Sequence, residues 1–207
     1  MTHGVTPFAV DLVQLRKVIG SRSKSSLLEL REEFESELEE DRERIKEATD
    51  DDDLDPELPL TKALRHLIMD EDRWDYEGEK YGYALEMICS FYGELLPNDR
   101  WSHRQLSWAE TVSDVLQEAG VPVKTFSIID HLIYRGSPIQ IPEIEDFPFI
   151  GYVTVNEIPK ALAALSDCPC SDIEHEEAEE IRSSIEQVRE WLETCQREKS
   201  DLVCFCY

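Results

Sequence analysis

Apolar runs of membrane-spanning length are missing from this sequence. None approaches the ~20 residues that a bilayer-crossing helix needs. A secretory leader is not expected: MTHGVTPFAVDLVQLRK has no basic start followed by an apolar stretch and a small-residue cleavage site. The expected compartment is therefore the cytoplasm. Glycine is scarce, eight in 207 residues, and neither long flexible linkers nor internal repeats divide the chain. Cations are in short supply: 21 Lys and Arg face 46 Asp and Glu, for a formal charge of −25. Such a surface repels phosphate backbones and anionic lipid, so neither nucleic acid nor membrane is an expected partner. The one locally basic stretch, Arg16, Lys17, Arg22 and Lys24, reads as neutralising nearby glutamates.

Catalytic signatures are absent as well. There is no Gly-x-Ser-x-Gly elbow, phosphate-binding P-loop, dinucleotide glycine fingerprint or His-Glu-x-x-His. None of the five histidines sits in a known catalytic pattern, so no catalytic residue is assigned. Asp130 and His131 become an acid–base pair only if the fold brings a nucleophile to them. DDDDLD, residues 50–55, lacks the glycine and terminal glutamate of a calcium loop and reads as a solvated acidic loop spanning about 49–58.

Six cysteines are present, yet no Cys-x-x-Cys knuckle. Three readings stand: core thiols, a metal site and a redox site. Cys168-Pro-Cys170 supplies two sulfurs and His175 a nitrogen for metal; zinc asks for about four such ligands. Against that, Cys195 continues an apolar helical stripe and Cys89 lies in a hydrophobic helix. Cys204 and Cys206 share one face of a strand with Leu202. Buried cysteine behaves as a small hydrophobe. Core thiols are the favoured reading; no metal, cofactor or disulfide is expected.

What the sequence does contain is helix. A hydrophobic content of 41% and a length of 207 residues support a sizeable core. Asp11 caps a helix that ends at Gly20. A long amphipathic helix is predicted over 26–47, through Leu27, Leu30, Phe34, Leu38 and Ile45. Pro59 opens the next, a buried helix follows over 81–95, and Ser107-Trp-Ala-Glu110 reads as a capping box. A short helix is predicted over 126–134. Residues 137–149 are proline-interrupted and extended. IGYVTV (150–155) is a strand, after which Asn156 caps a helix carrying Pro159 in its first turn. A last long helix precedes the closing strand LVCFCY. TPFAV near the start is a further strand, placed at a sheet edge by Pro7. The expected fold is α+β: one mostly helical domain, residues 1–207, around a small sheet of N-terminal, internal and C-terminal strands.

Charge and aromatics suggest where a partner would bind. Residues 29–57 hold 16 acids and 4 bases, and residues 172–193 hold 9 acids and 2 bases. Trp74 and Tyr76 in DEDRWDYEGE, and Trp101 in NDRWSH, stand among charges as candidate partner-binding anchors.

The stretches YGYALEMICSFYGELL, EDFPFIGYVTVNEIPKALAAL and LVCFCY resemble an uncharacterised bacterial family of about this length, described only as a domain of unknown function. The order of elements is distantly similar to that of YfbM-like proteins. That second resemblance implies a small cytoplasmic accessory protein, of the kind associated with toxin systems. Neither assigns catalytic residues. The expected function is a non-catalytic acidic interaction module, accessory or immunity-like, for a basic protein partner. The alternatives are an enzyme with a convergent site and a small metal-binding protein using Cys168 and Cys170. The sequence does not speak to oligomeric state.

Overall fold

The structure, a computed structural model, describes residues 4–48, 57–73, 76–166 and 175–207. It is α+β: helices dominate, and the strands form one four-stranded antiparallel sheet. No helix among the described residues is long and apolar enough to cross a membrane. The chain packs as two compact units. One comprises Met1–Leu12, Gly93–Pro138 and Phe149–Tyr207; the other comprises Val13–Tyr92 and Ile139–Pro148.

The first unit holds the sheet, in the order β2 (Glu94–Leu95), β1 (Val5–Val10), β4 (Asp201–Cys206), β3 (Phe149–Val153). The expected N-terminal, internal and C-terminal strands are its three long members. Register places Val5, Pro7 and Ala9 opposite Cys206, Cys204 and Leu202, and these opposite Phe149, Gly151 and Val153. Side chains alternate along a strand. Cys204 and Cys206 therefore lie on the face that packs on helix α8 (Ala178–Glu198), through Ile185, Val188, Leu192 and Cys195. β4 is buried on both faces, and Phe8 and Phe205 meet edge to face at 5.9 Å on the other side of the sheet.

Pro7 does not put β1 at an edge, as the sequence suggests, because β2 pairs with it. The Pro7 carbonyl accepts the Leu96 amide at 2.9 Å. In an antiparallel ladder a residue's N–H and C=O point the same way. The N–H that proline lacks is thus lost from the short β2 side, and the β1–β4 ladder is intact. The opposite edge is closed by the chain itself. The Arg135 guanidinium donates to the Tyr152 carbonyl at 2.8 Å, and the Gly136 amide donates to the Ile150 carbonyl at 2.8 Å. Both are acceptors that an open β3 would offer to another strand.

The other helices of this unit are α6 (Leu106–Glu118), a π-helix (Ile128–Ile133) and α7 (Ile158–Ser166). Gln105, not Ser107, is the cap residue of α6; Ser107 lies in its first turn and accepts from Thr111. α7 is opened not by Asn156 but by Thr154 and Glu157. The Glu157 carboxylate accepts the Thr154 amide at 2.9 Å and its hydroxyl at 2.6 Å.

The second unit is helical: α2 (Lys24–Glu33), α3 (Glu35–Ala48), α4 (Leu60–Met69) and α5 (Gly78–Tyr92), with most of α1 (Leu12–Val18). Its core includes Leu30, Leu38, Leu64, Leu67, Tyr81, Leu85 and Ile88. The single helix expected over 26–47 is two, broken at Phe34, whose φ of −106° and ψ of 30° leave the helical region. α5 stops at Tyr92 rather than running to residue 95. The extended segment of residues 139–148 crosses the start of α5. A Cβ on Gly78 would lie 1.7 Å from the Glu143 carbonyl oxygen, and one on Gly82 within 3.0 Å of Pro148. The Glu79 carboxylate holds the same segment by accepting the amides of Glu145 and Asp146.

Candidate interaction surface

Ser23 starts the acidic surface. Its hydroxyl accepts the Ser26 amide at 3.2 Å and caps α2. Leu30 and Leu38 are buried below, and the glutamates of α2 and α3 turn outward. Within residues 29–47 there are ten acids and four bases. Asp41 and Glu39 have ion-pair partners in Lys80, Arg44 and Arg42. The other eight, all exposed glutamates, pair with no cation among the described residues. On α8, by comparison, Glu180 is met by Arg104 at 2.6 Å and Glu193 by Arg189 at 3.4 Å.

A structural clamp separates the acids that hold the fold from those that face outward. Lys80 on α5, 8% exposed, lies between Asp41 and Glu57, and Arg44 bonds the same two carboxylates. Asp41 also accepts the Leu60 amide at 2.7 Å. Burial alone would raise the Asp41 pKa; the Leu60 amide and Lys80 outweigh it and hold the carboxyl below its ordinary value. Glu57 is lowered in the same way, with Arg44 and Lys80 outweighing burial.

α2, α3 and the start of α4 line an open groove of about 380 Å³ through Leu28, Arg31, Glu32, Glu35, Leu38 and Glu39, together with Arg42 and Thr61. Leu28 is 57% exposed. In sequence it falls one residue off the apolar stripe of Leu27, Leu30, Phe34 and Leu38, so periodicity does not single it out. The break at Phe34 has no proline or glycine to announce it.

The expected anchors separate. Tyr76 is 65% exposed, as a partner-binding aromatic must be. Trp74 lies outside the described residues. Trp101 is corrected from surface to core: it is 1% exposed, and its indole N–H donates to the Ser184 carbonyl at 3.0 Å. The charged neighbours in its sequence hide a side chain that points inward. The acidic loop of residues 49–58 falls outside the described residues except for Glu57 and Leu58.

Cys89, Cys195, Cys204 and Cys206 are buried thiols. Burial pushes Cys195 and Cys206 up to about 11 and raises Cys89 and Cys204 as well, so none is a poised thiolate. Cys168 and Cys170 lie outside the described residues. Among the described residues no group of three or more His, Cys, Asp or Glu is placed to hold a metal ion. The His131 ring accepts the Ser127 amide on Nδ1 at 3.1 Å, and desolvation lowers its pKa. Ser127, 4% exposed, spends its hydroxyl capping the π-helix at the Asp130 amide. His66 is bonded to the Tyr81 hydroxyl at 2.8 Å and is likewise lowered by burial.

No curated protein and no solved structure matches the chain. One family model does, across residues 1–207, and its description is Domain of unknown function (DUF7691). The chain therefore belongs to this family of unknown function.

Proposed function

We propose that this protein is a non-catalytic interaction module that works in the cytoplasm and binds a basic protein through the α2–α3 face. The observation that carries the reading is the set of eight exposed glutamates without cationic partners among the described residues. Self-repulsion of like charge destabilises a compact state, and a cationic partner removes that cost on binding. Charge chiefly speeds encounter and selects partners, so an apolar anchor is also needed. Exposed Tyr76 supplies one, and Trp74, two residues before it, is its companion in sequence. A basic toxin suits this chemistry, in keeping with an accessory or immunity-like role in a bacterial cell.

Affinity purification from the native cell, with mass spectrometry, supplies the test. A basic partner is expected whose purified form associates more slowly as salt rises, since charges at physiological ionic strength are screened beyond about 8 Å. Replacing Trp74 and Tyr76 by alanine should abolish its recovery. Turnover of a small molecule by a preparation that captures no partner would end the reading.

A further inference from the structure

The α2–α3 surface is more than a patch of charge. Helical spacing runs unbroken through Leu27, Leu30, Phe34 and Leu38, and the backbone leaves the helical region only at Phe34. Leu28 of α2 and Leu38 of α3 line one groove, with Glu32 and Glu35 beside them. Leu38 is almost buried and forms the floor, while Leu28 is exposed at the side. Both groove cations have to be counted. Arg42 is held by Glu39 at 3.1 Å, which leaves Arg31 against Glu32 and Glu35 in the groove lining. A wholly apolar occupant would leave those carboxylates desolvated and unpaired, which is costly. A wholly cationic occupant would leave Leu28 in water.

We infer that the groove takes an amphipathic basic segment of a partner protein, with a bulky aliphatic side chain on Leu28 and Leu38 and lysine or arginine heads at Glu32 and Glu35. Long cationic side chains fit this role because their stems lie on apolar surface while the charged ends stay at the rim. An amphipathic helix in a groove is an established mode of peptide recognition. The inference rests on the proposed function and makes it specific: the basic partner is read by one apolar contact inside a ring of carboxylates.

The test uses the full chain and two synthetic peptides of equal length, an amphipathic leucine–lysine helix and an oligolysine, with affinities measured by fluorescence anisotropy. Wild type is expected to bind the leucine–lysine peptide about tenfold or more tighter than oligolysine, as burial of one aliphatic side chain implies. Leu28→Asp should abolish the preference for the leucine–lysine peptide and leave oligolysine binding no weaker. Glu32→Lys with Glu35→Lys should weaken both peptides. Circular dichroism checks that each variant is folded, and if Leu28→Asp is not, Leu28→Ala serves with a smaller expected loss. Equal binding of the two peptides, or a Leu28 variant with undiminished preference, overturns the groove and leaves the acidic interaction surface standing. Failure of both peptides to bind overturns the groove and the proposed function together.

Discussion

Single side chains here do work that their neighbours in sequence do not reveal. Asp201 opens β4 with a carboxylate 8% exposed, which accepts the Leu12 amide at 3.0 Å and the Val155 amide at 2.8 Å. A carboxylate at the first amide of α1 also suits the helix dipole. Asp201→Ala leaves two amides unpaired and should cost about 3 kcal/mol in urea unfolding. Asp201→Asn keeps one acceptor and should cost roughly half as much. A change below ~0.5 kcal/mol in both would show that the two bonds contribute nothing.

Glu86 makes the opposite kind of contribution. Burial raises its carboxyl to about 7 from an ordinary 4.5. Above pH 4.5 the unfolded chain ionises this group while the folded chain keeps it protonated, so the unfolded state binds fewer protons. Stability therefore falls as pH rises from about 4.5 to about 7, and the penalty is complete above that. Glu86→Gln should stabilise the protein by about 1–3 kcal/mol at pH 8 and by little at pH 4. Urea titrations at the two pH values check it, and an equal effect at both would refute it.

At the scale of elements, glycine marks where two pieces of backbone touch. Gly151 of β3 lies under the π-helix, and a Cβ there would come within 2.2 Å of the Leu132 carbonyl carbon. Backbone cannot step aside as a flexible side chain can. Gly151→Ala should cost at least about 2 kcal/mol by overpacking, read as a lower urea midpoint with an unchanged slope. Gly136→Ala is the contrast: no atom lies within 4 Å of its Cβ position, and only its φ of +88° resists the change. Its cost should be near 1 kcal/mol. If the two substitutions cost the same, the close packing of the π-helix on β3 is not what Gly151 serves.

At the scale of the whole molecule, β4 sits between β1 and β3 and is buried along its length. Deleting residues 202–207 removes the partner of two strands and uncovers the α8 stripe. The truncated chain should lose its cooperative thermal transition and aggregate; an unchanged melting temperature would refute this. The proposal that residues 1–207 fold as one domain predicts a single full-length transition by calorimetry and by circular dichroism. Two separated transitions would assign independent stability to the two units.

The sequence alone determined the elements whose physics is local. Leu60, Leu64, Leu67 and Ile68 recur at helical spacing and are buried in α4; Ile181, Ile185, Val188, Leu192 and Cys195 do the same in α8. The closing run of apolar residues could only be a buried strand, and the charge concentrated in residues 29–57 was countable before any fold was known. Two local signals were present but unread: Thr154-x-x-Glu157 before α7, and Gly78-x-x-x-Gly82, whose spacing puts two bare backbone positions on one face of α5. Tertiary structure decided what depends on partners distant in the chain. The pairing of Leu96 with Pro7 moved β1 from edge to interior, and the Ser184 carbonyl drew Trp101 into the core. The packing of α4 put Thr61 in one groove with Leu28, Glu32, Glu35 and Leu38. Periodicity reports which face of an element is apolar. What that face meets depends on side chains dozens of residues away.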